Sequence, residues 1–331
     1  MYKFIAEGCL AARAITIAAA ICFLVMMGGP AAAADYPSRP VTIVVPFPAG
    51  SVTDVFTRLL AEGLRSELGR TFVVEPKPGG GMAVAAGYVA RSAKDGYTLL
   101  LAPAASVTLN ELVNPDLPYR GSDLAPIALL AVVPQVLTVR GALPVRSLAE
   151  LAAYAKARPG TVTLGNGGAN TLTQIIAKLL EEDLGVTFNH VPYNGSAGVR
   201  AAMLANQIDA GMDVIVALSD FAREGKLYPI ALLARQRHPV LPDVKTFVEL
   251  GYPRMDREGW YGLMAPAGTP REIIDLLNAA VARVLKAPHL IERTTRLGLQ
   301  ERYGSVAEFA DVISQDMKSW RAFMAANPIA K

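Results

Sequence analysis

Short β-rich apolar runs alternate with amphipathic helical patterns along most of this chain. That alternation excludes all-β and all-helical folds and leaves an α/β architecture. Residues 41–45 read as a strand. Residues 53–68 read as a helix with Phe56, Leu60 and Leu64 on one face and Gly69 placed to end it. Residues 71–74 form a second strand, Gly79-Gly80-Gly81 opens a helix running to about Ala93, and 98–102 form a third strand. The pattern then repeats, with strands at 135–139, 161–164, 187–191, 208–212, 228–234 and 260–265. Residues 172–184 read as a helix with Ile175, Ile176, Leu179 and Leu180 buried and Gly185 closing it. Three capping boxes are expected: Ser147 with Glu150, Thr269 with Glu272 behind Pro270, and Ser305 with Glu308. The last helix carries Phe309, Val312, Ile313, Met317 and Trp320 at helical spacing.

A chain of 331 residues has room for two such lobes. Residues 137–255 make one; 36–136 together with 256–331 make the other, discontinuous one. The chain crosses between them near Val136 and Gly259.

The first 34 residues read as an address. Lys3 and Arg13 precede a run, 14–27, that is apolar apart from Thr16; small residues then lead to Ala32-Ala33-Ala34. This is the pattern of a secretory signal cleaved after Ala34, and it predicts a periplasmic protein. The run is short for a membrane anchor. Both cysteines, Cys9 and Cys22, fall in this segment, so the mature chain would offer no thiol for a disulfide, a zinc site or a nucleophile. Without Lys3, Arg13 and Glu7, 30 basic and 28 acidic side chains remain. That balance gives no strong steering field and argues against a nucleic-acid partner.

Five strand-to-helix junctions are rich in small residues: 46–54, 78–83, 104–106, 166–171 and 194–198. In open α/β sheets, ligands bind outside the carboxyl ends of strands. Helix N-termini there present unpaired N–H groups and a positive dipole end, so several converging on one cleft can hold an anion without Arg or Lys. Each junction taken singly also reads as an ordinary tight turn with an N-cap.

Enzyme signatures do not assemble. There is no phosphate-loop motif, and Asn170 stands where a G-x-G-x-x-G begun at Gly165 needs its third glycine. Asn194 breaks a nucleophile elbow around Ser196. His190, His238 and His289 lie far apart without metal spacing; His238 and His289, beside prolines, read as surface loop residues. Glu181-Glu182-Asp183 reads as a solvated helix end. No catalytic residue, metal or cofactor is expected.

Several segments, in order, carry a resemblance. They are 36–40, Val45-Pro46-Phe47-Pro48 through Thr53-Asp54, Val74-Glu75 through Pro78-Gly79, and 95–100. Further along come His190-Val191-Pro192-Tyr193, Leu241-Pro242-Asp243-Val244 and 260–270. With these the chain resembles the Bug/TctC family, the periplasmic receptors of tripartite tricarboxylate transporters. The resemblance implies a two-lobed, type II periplasmic-binding-protein fold with a ligand cleft between hinged lobes. It implies a small organic carboxylate held by backbone amides and ordered waters, and a partner pair of one large and one small inner-membrane transporter subunit. A monomer is expected.

Carried onto this sequence, the ligand-binding candidates are Phe47, Ser51, Val52, Thr53, Asp54, Met82, Ala83, Asn166, Gly168, Thr171 and Asp213. Backbone donors are expected at Ser51, Val52, Thr53 and Ala83, with Asp54 capping and orienting the first loop. Asn166, Gly168 and Thr171 should face the cleft from the second lobe. Asp213 is either a ligand-facing group or a hinge carboxylate. This chain departs from the family pattern where Ala49 replaces a proline, Met82-Ala83 replace a small and polar pair, Asn166 replaces a serine and Gln174 a histidine. Val52 and Met82 would add apolar surface, which favours an aromatic or longer aliphatic acid. Two alternatives use the same architecture: a receptor signalling to a sensor kinase, and an exported α/β enzyme acting on a carboxylate.

Overall fold

The computed structural model describes residues 36–168, 171–193, 195–215 and 218–326. The signal segment expected at 1–34 lies outside the described residues, as do Ala169, Asn170 and Asn194 of two junctions. Every element below belongs to one compact unit, Arg39–Lys331. No described helix is long and apolar enough to cross a membrane.

In chain order come β1 (Val41–Val45), α1 (Val52–Leu68), β2 (Phe72–Pro76), α2 (Ala83–Ala90), β3 (Thr98–Pro103), the short helices α3 (Ala104–Val107) and α4 (Leu109–Val113), and β4 (Leu124–Val133). Next are β5 (Gln135–Arg140), α5 (Leu148–Lys156), β6 (Thr163–Asn166), α6 (Leu172–Leu184), β7 (Asn189–Pro192), α7 (Ser196–Leu204), β8 (Ala210–Val214), α8 (Leu218–Arg223) and β9 (Leu227–Leu233). Then β10 (Gly259–Pro266), α9 (Arg271–Leu285), α10 (Pro288–Arg296), β11 (Gln300–Gly304) and α11 (Val306–Ala326) complete the described elements.

Two sheets result. One has the order β11-β4-β10-β3-β1-β2, the other β7-β6-β8-β5-β9. Each has a parallel group built by helical crossovers: β1 with β2 and β3, and β6 with β7 and β8. In each, the strand arriving from the other sheet pairs antiparallel: β10 with β3 and β4, β5 with β8 and β9. The chain passes from one sheet to the other at Pro134 and returns between β9 and β10. All loops that follow the parallel strands therefore leave their sheets at carboxyl ends, where ligands bind.

Helix α1 shows why the elements sit as they do. Phe56, Leu60 and Leu64 recur at helical spacing and are fully buried, while Ser51 caps the start and Gly69, at φ 68, ends it. Burying each of these side chains contributes about 1.5–3 kcal/mol, and Leu60→Ala would cost about 2–5 kcal/mol. In β10 the glycine at 262 is required by packing. A Cβ there would lie 2.0 Å from Cζ of the Phe309 ring, which meets Trp260 edge-on at 5.2 Å.

Several local expectations are corrected. β4 was not expected: its ten residues are one apolar run interrupted by Pro126, and without alternation such a run does not declare strand or helix. α7 was read only as a junction, and β11 is a polar edge strand. β6 and β8 lie two residues later than expected, because their ends are set by ladder partners such as Leu164 with Ala210. α2 stops at Ala90 rather than near Ala93.

Ser305 and Glu308 form the reciprocal capping box, with side chain to backbone in both directions. Ser147 caps α5, but the Glu150 carboxylate accepts from the Arg146 N–H instead. The Thr269 hydroxyl donates to the Pro266 carbonyl, so it does not cap α9.

His238 is not a surface residue. It is 1 % exposed, accepts the Val240 N–H at Nδ1, and burial lowers its pKa. His289 is exposed, but on α10 rather than a loop. The acidic end of α6 is not merely solvated: Arg254 bonds to Glu182 and Asp183, and Glu181 pairs with His190 at 2.8 Å.

Candidate ligand-binding cleft

The loops after β1, β3, β6 and β7 converge on a cavity of about 240 Å3 between the two sheets. A smaller space of about 90 Å3 continues it toward the glycine run 79–81 and Gly168. Among the described residues, no charged side chain lines the larger cavity. Its polar lining side chains are Ser51, Thr53, Gln135, Thr171, Thr173 and Tyr261, and its walls are mostly apolar, with Val52, Met82, Leu172, Met212, Val214 and Trp260 prominent.

The first loop is arranged by Asp54. This carboxylate is 2 % exposed, accepts the Gly50 N–H at 2.9 Å, and holds Arg58 through both oxygens at 3.0 and 3.1 Å. It does not line the cavity. Its own N–H goes to Ser51 Oγ at 3.2 Å, which is the N-cap bond of α1. The Ser51 N–H is engaged with the Pro48 carbonyl at 3.2 Å. The N–H groups of Val52 and Thr53 have no acceptor among the described residues, and both residues line the cavity. They are the first-turn donors that every helix leaves unsatisfied.

Behind them, Thr53 Oγ1 and Tyr261 Oη lie 2.7 Å apart, both residues buried. Burial pushes the Tyr261 phenol up to about 12, with the Thr53 hydrogen bond acting in the opposite sense. The cleft wall is therefore a neutral hydroxyl pair at ordinary pH.

The second expected donor region differs. The Ala83 N–H is engaged with the Gly80 carbonyl, and Ala83 does not line the cavity. Met82 does line it, at a φ of 78, so its side chain enters the cleft from a left-handed residue.

From the second sheet, the loop after β6 satisfies itself. Asn166 is 2 % exposed and its Oδ1 accepts the Gly168 N–H at 3.0 Å, so it shapes the loop without lining the cavity. Gly168 lines the smaller space at φ 110, where a Cβ would also lie 2.9 Å from the Tyr193 carbonyl oxygen. Thr171 caps α6, donates to the Gly168 carbonyl at 2.7 Å, and lines both cavities. Thr173 Oγ1 accepts the Gly167 N–H at 2.9 Å. Phe47 faces Gly195 across the cleft, within 3.7 Å of where a Cβ at 195 would stand.

Asp213 does not line the cleft. It is fully buried on β8, accepts the Val214 N–H at 2.7 Å, and pairs with Arg200 at 3.3 Å. Its neighbours Met212 and Val214 line the cavity instead, because successive strand side chains point to opposite faces.

Sequence reasoning missed Tyr261, Gln135, Thr173 and Trp260. Trp260 and Tyr261 open the last of the matched segments, and Gln135 is the first polar residue after the whole apolar stretch 124–134.

A second, larger cavity of about 500 Å3 shares Gly259 and Trp260 with the cleft. It is lined by Arg235, Arg254, Arg257 and Arg302, with Asp256, Glu258 and Asp316. Three of the four arginines are engaged by neighbouring groups. Arg235 lies 4.0 Å from Asp256, Arg254 holds Asp183 and Glu182, and Arg257 bonds to Ser319 and lies over the rings of Trp320 and Phe323. Burial lowers the Arg257 pKa and raises those of Glu258 and Asp316. The converging loops, not the larger volume, mark the ligand site.

Two sheets exchanging one strand each, with helix N-termini converging on an uncharged cleft between them, define a solute-binding protein of the two-lobed, type II periplasmic class. The family model for the tripartite tricarboxylate transporter family receptor, TctC, matches residues 56–328, and the chain belongs to that family. Protein BugT of Bordetella pertussis is 32% identical over 296 residues, which cover 89% of this chain and 91% of that protein. MatC of Rhodopseudomonas palustris, solved with bound malate, superposes with a TM-score of 0.81 at 32% identity, covering 87% of this chain and 99% of that one. A second R. palustris structure, with adipate, gives a TM-score of 0.83 at 31% identity over 89% of this chain and 99% of that one. The family is one of solute-binding receptors rather than enzymes.

Proposed function

We propose that this chain captures a small organic carboxylate in the periplasm, closes its two lobes over it, and delivers it to inner-membrane transporter subunits, one large and one small. The lobes are 36–136 with 256–331, and 137–255. The observation that carries this reading is the pair of unengaged N–H groups on Val52 and Thr53, at the start of a 17-residue helix facing an uncharged cleft. Those donors and the helix dipole suit a carboxylate, whose oxygens only accept. The malate and adipate held by relatives of the same fold support the same class.

Val52, Met82, Leu172 and Trp260 give the ligand an apolar wall, so an acid with a hydrocarbon body is preferred over a compact polar one. Closure follows from differential contact: a ligand touching both lobes only when they are closed shifts the balance toward that state. Phe47 and Gly195 are placed to meet as it does.

The test is thermal unfolding against dicarboxylates, citrate, amino acids, aromatic acids and aliphatic monoacids. A ligand at a hundredfold its Kd stabilises by about 2.7 kcal/mol, which moves the midpoint by a few degrees. A shift confined to acids with an apolar body supports the reading. No shift with any acid, or a shift with citrate and amino acids alone, overturns it.

A further inference from the structure

Gln135 opens β5, directly after the chain crosses from the first sheet at Pro134. It is only 9 % exposed, yet it lines the cleft. Its side-chain amide makes no hydrogen bond to any described residue, whereas Asn166, Thr171 and Thr173 nearby are all engaged. The pleat explains its direction. Gln135 pairs with Val214 and Leu137 pairs with Met212 on the neighbouring strand, and Met212 and Val214 both line the cavity. Val136, one residue on, points into the opposite core with Val199 and Met203.

The two N–H donors and the carbonyl of the Gln135 amide open on the cleft, where water serves them until a ligand displaces it, and an apolar ligand there would leave them unsatisfied. Such a group aimed into a binding cleft marks where a ligand supplies the missing partner. Val214 pairs with Gln135 across the sheet, and the cavity that Gln135 faces is lined also by Val133, Met212, Leu172, Gly259 and Trp260 and by no described cation. A second charge on the ligand at this depth would be left unpaired, which is costly. A neutral group would not.

We propose that Gln135 recognises an uncharged hydrogen-bonding group, a hydroxyl, carbonyl or carboxamide, at the far end of a monocarboxylate whose acid sits at the start of α1. This rests on the carboxylate reading of the cleft and narrows it: the ligand is a monoanion with a polar, neutral tail. Gln135 then sets specificity, while Val52 and Thr53 set the requirement for an acid.

The experiment is calorimetric titration of the protein and of Gln135→Leu with four matched probes: hexanoate, its hydroxyl-terminated analogue, adipate, and the monoamide of adipate. The wild type should bind the hydroxyl acid or the monoamide about tenfold more tightly than hexanoate or adipate, as one satisfied buried hydrogen bond implies. In Gln135→Leu that preference should vanish and hexanoate should gain. Without ligand, Gln135→Leu should melt no lower than the wild type, since it removes an amide that has no partner among the described residues. A preference that survives in Gln135→Leu, a wild type that favours adipate, or a marked fall in the variant's midpoint would each overturn the role of Gln135 while leaving the carboxylate site standing. A wild type that binds none of the four, and no other acid, would instead remove the carboxylate reading itself, and this inference with it.

Discussion

The cleft and the charged cavity meet at Gly259 and Trp260, and they handle charge in opposite ways. The charged cavity is about twice the volume and holds four arginines, yet three of those guanidiniums, on Arg235, Arg254 and Arg257, face carboxylates, a serine or aromatic rings. The cleft has no lining charge, but it holds two helix N–H groups that nothing described accepts. An anion needs donors that are not already engaged. Arginines that satisfy their neighbours offer fewer of these than a capped helix whose first turn opens on a cavity.

The largest way to break that contrast is to fill the cleft. Ala197, exposed at the start of α7, lines the cavity, and Ala197→Trp should fold normally yet lose ligand binding and ligand-induced compaction in small-angle scattering. Normal compaction in that variant would place the ligand elsewhere.

Val52→Pro is the sharper test. Val52 is the first helical residue, where proline is tolerated, and Ser51 before it is already extended at φ −65 and ψ 160. The substitution deletes one donor and little else. Binding should weaken about tenfold to a hundredfold, the range for a hydrogen bond to a charged group, with the unfolding midpoint nearly unchanged. Titration calorimetry and thermal unfolding measure the two effects separately.

His238 gives a smaller effect, on stability alone. Its folded pKa lies below the ordinary histidine value because burial disfavours the charged form. As pH falls through about 6.5, the unfolded chain takes up a proton that the folded chain refuses, so stability drops down to the folded pKa. His238→Gln should flatten that slope in urea unfolding, and an unchanged slope would contradict the assignment. The smallest effect is expected from Arg302→Gln in the charged cavity: this residue is exposed, and cleft affinity should stay within about twofold.

The α/β class and α1, α6 and α11 were legible because helical spacing and end signals such as Gly69, Gly185 and Ser305 are local. β4 was not, because ten buried residues in one apolar run carry no period. The junctions that line the cleft were legible in their small residues, but their atomic roles were not. Whether Asn166 faces a ligand or the Gly168 N–H depends on a loop that sequence does not describe. Whether Asp213 faces the cleft depends on strand register, and one residue of shift exchanges it for Val214. Ala83 was expected to donate, but the turn before it engages its N–H. Gln135 and Tyr261 enter the cleft by way of sheet pairing between distant segments, which no local pattern encodes, and Thr173 enters from the first turn of α6.

The most direct measurement compares the acid that stabilises the protein most with its own primary amide, by titration calorimetry. The amide has nearly the same shape, but it presents N–H donors and no charge to the donors at Val52 and Thr53. If those N–H groups hold a carboxylate, the amide should bind about a hundredfold more weakly. Equal affinity for acid and amide would show that the start of α1 does not hold an anion, and would contradict the proposed site.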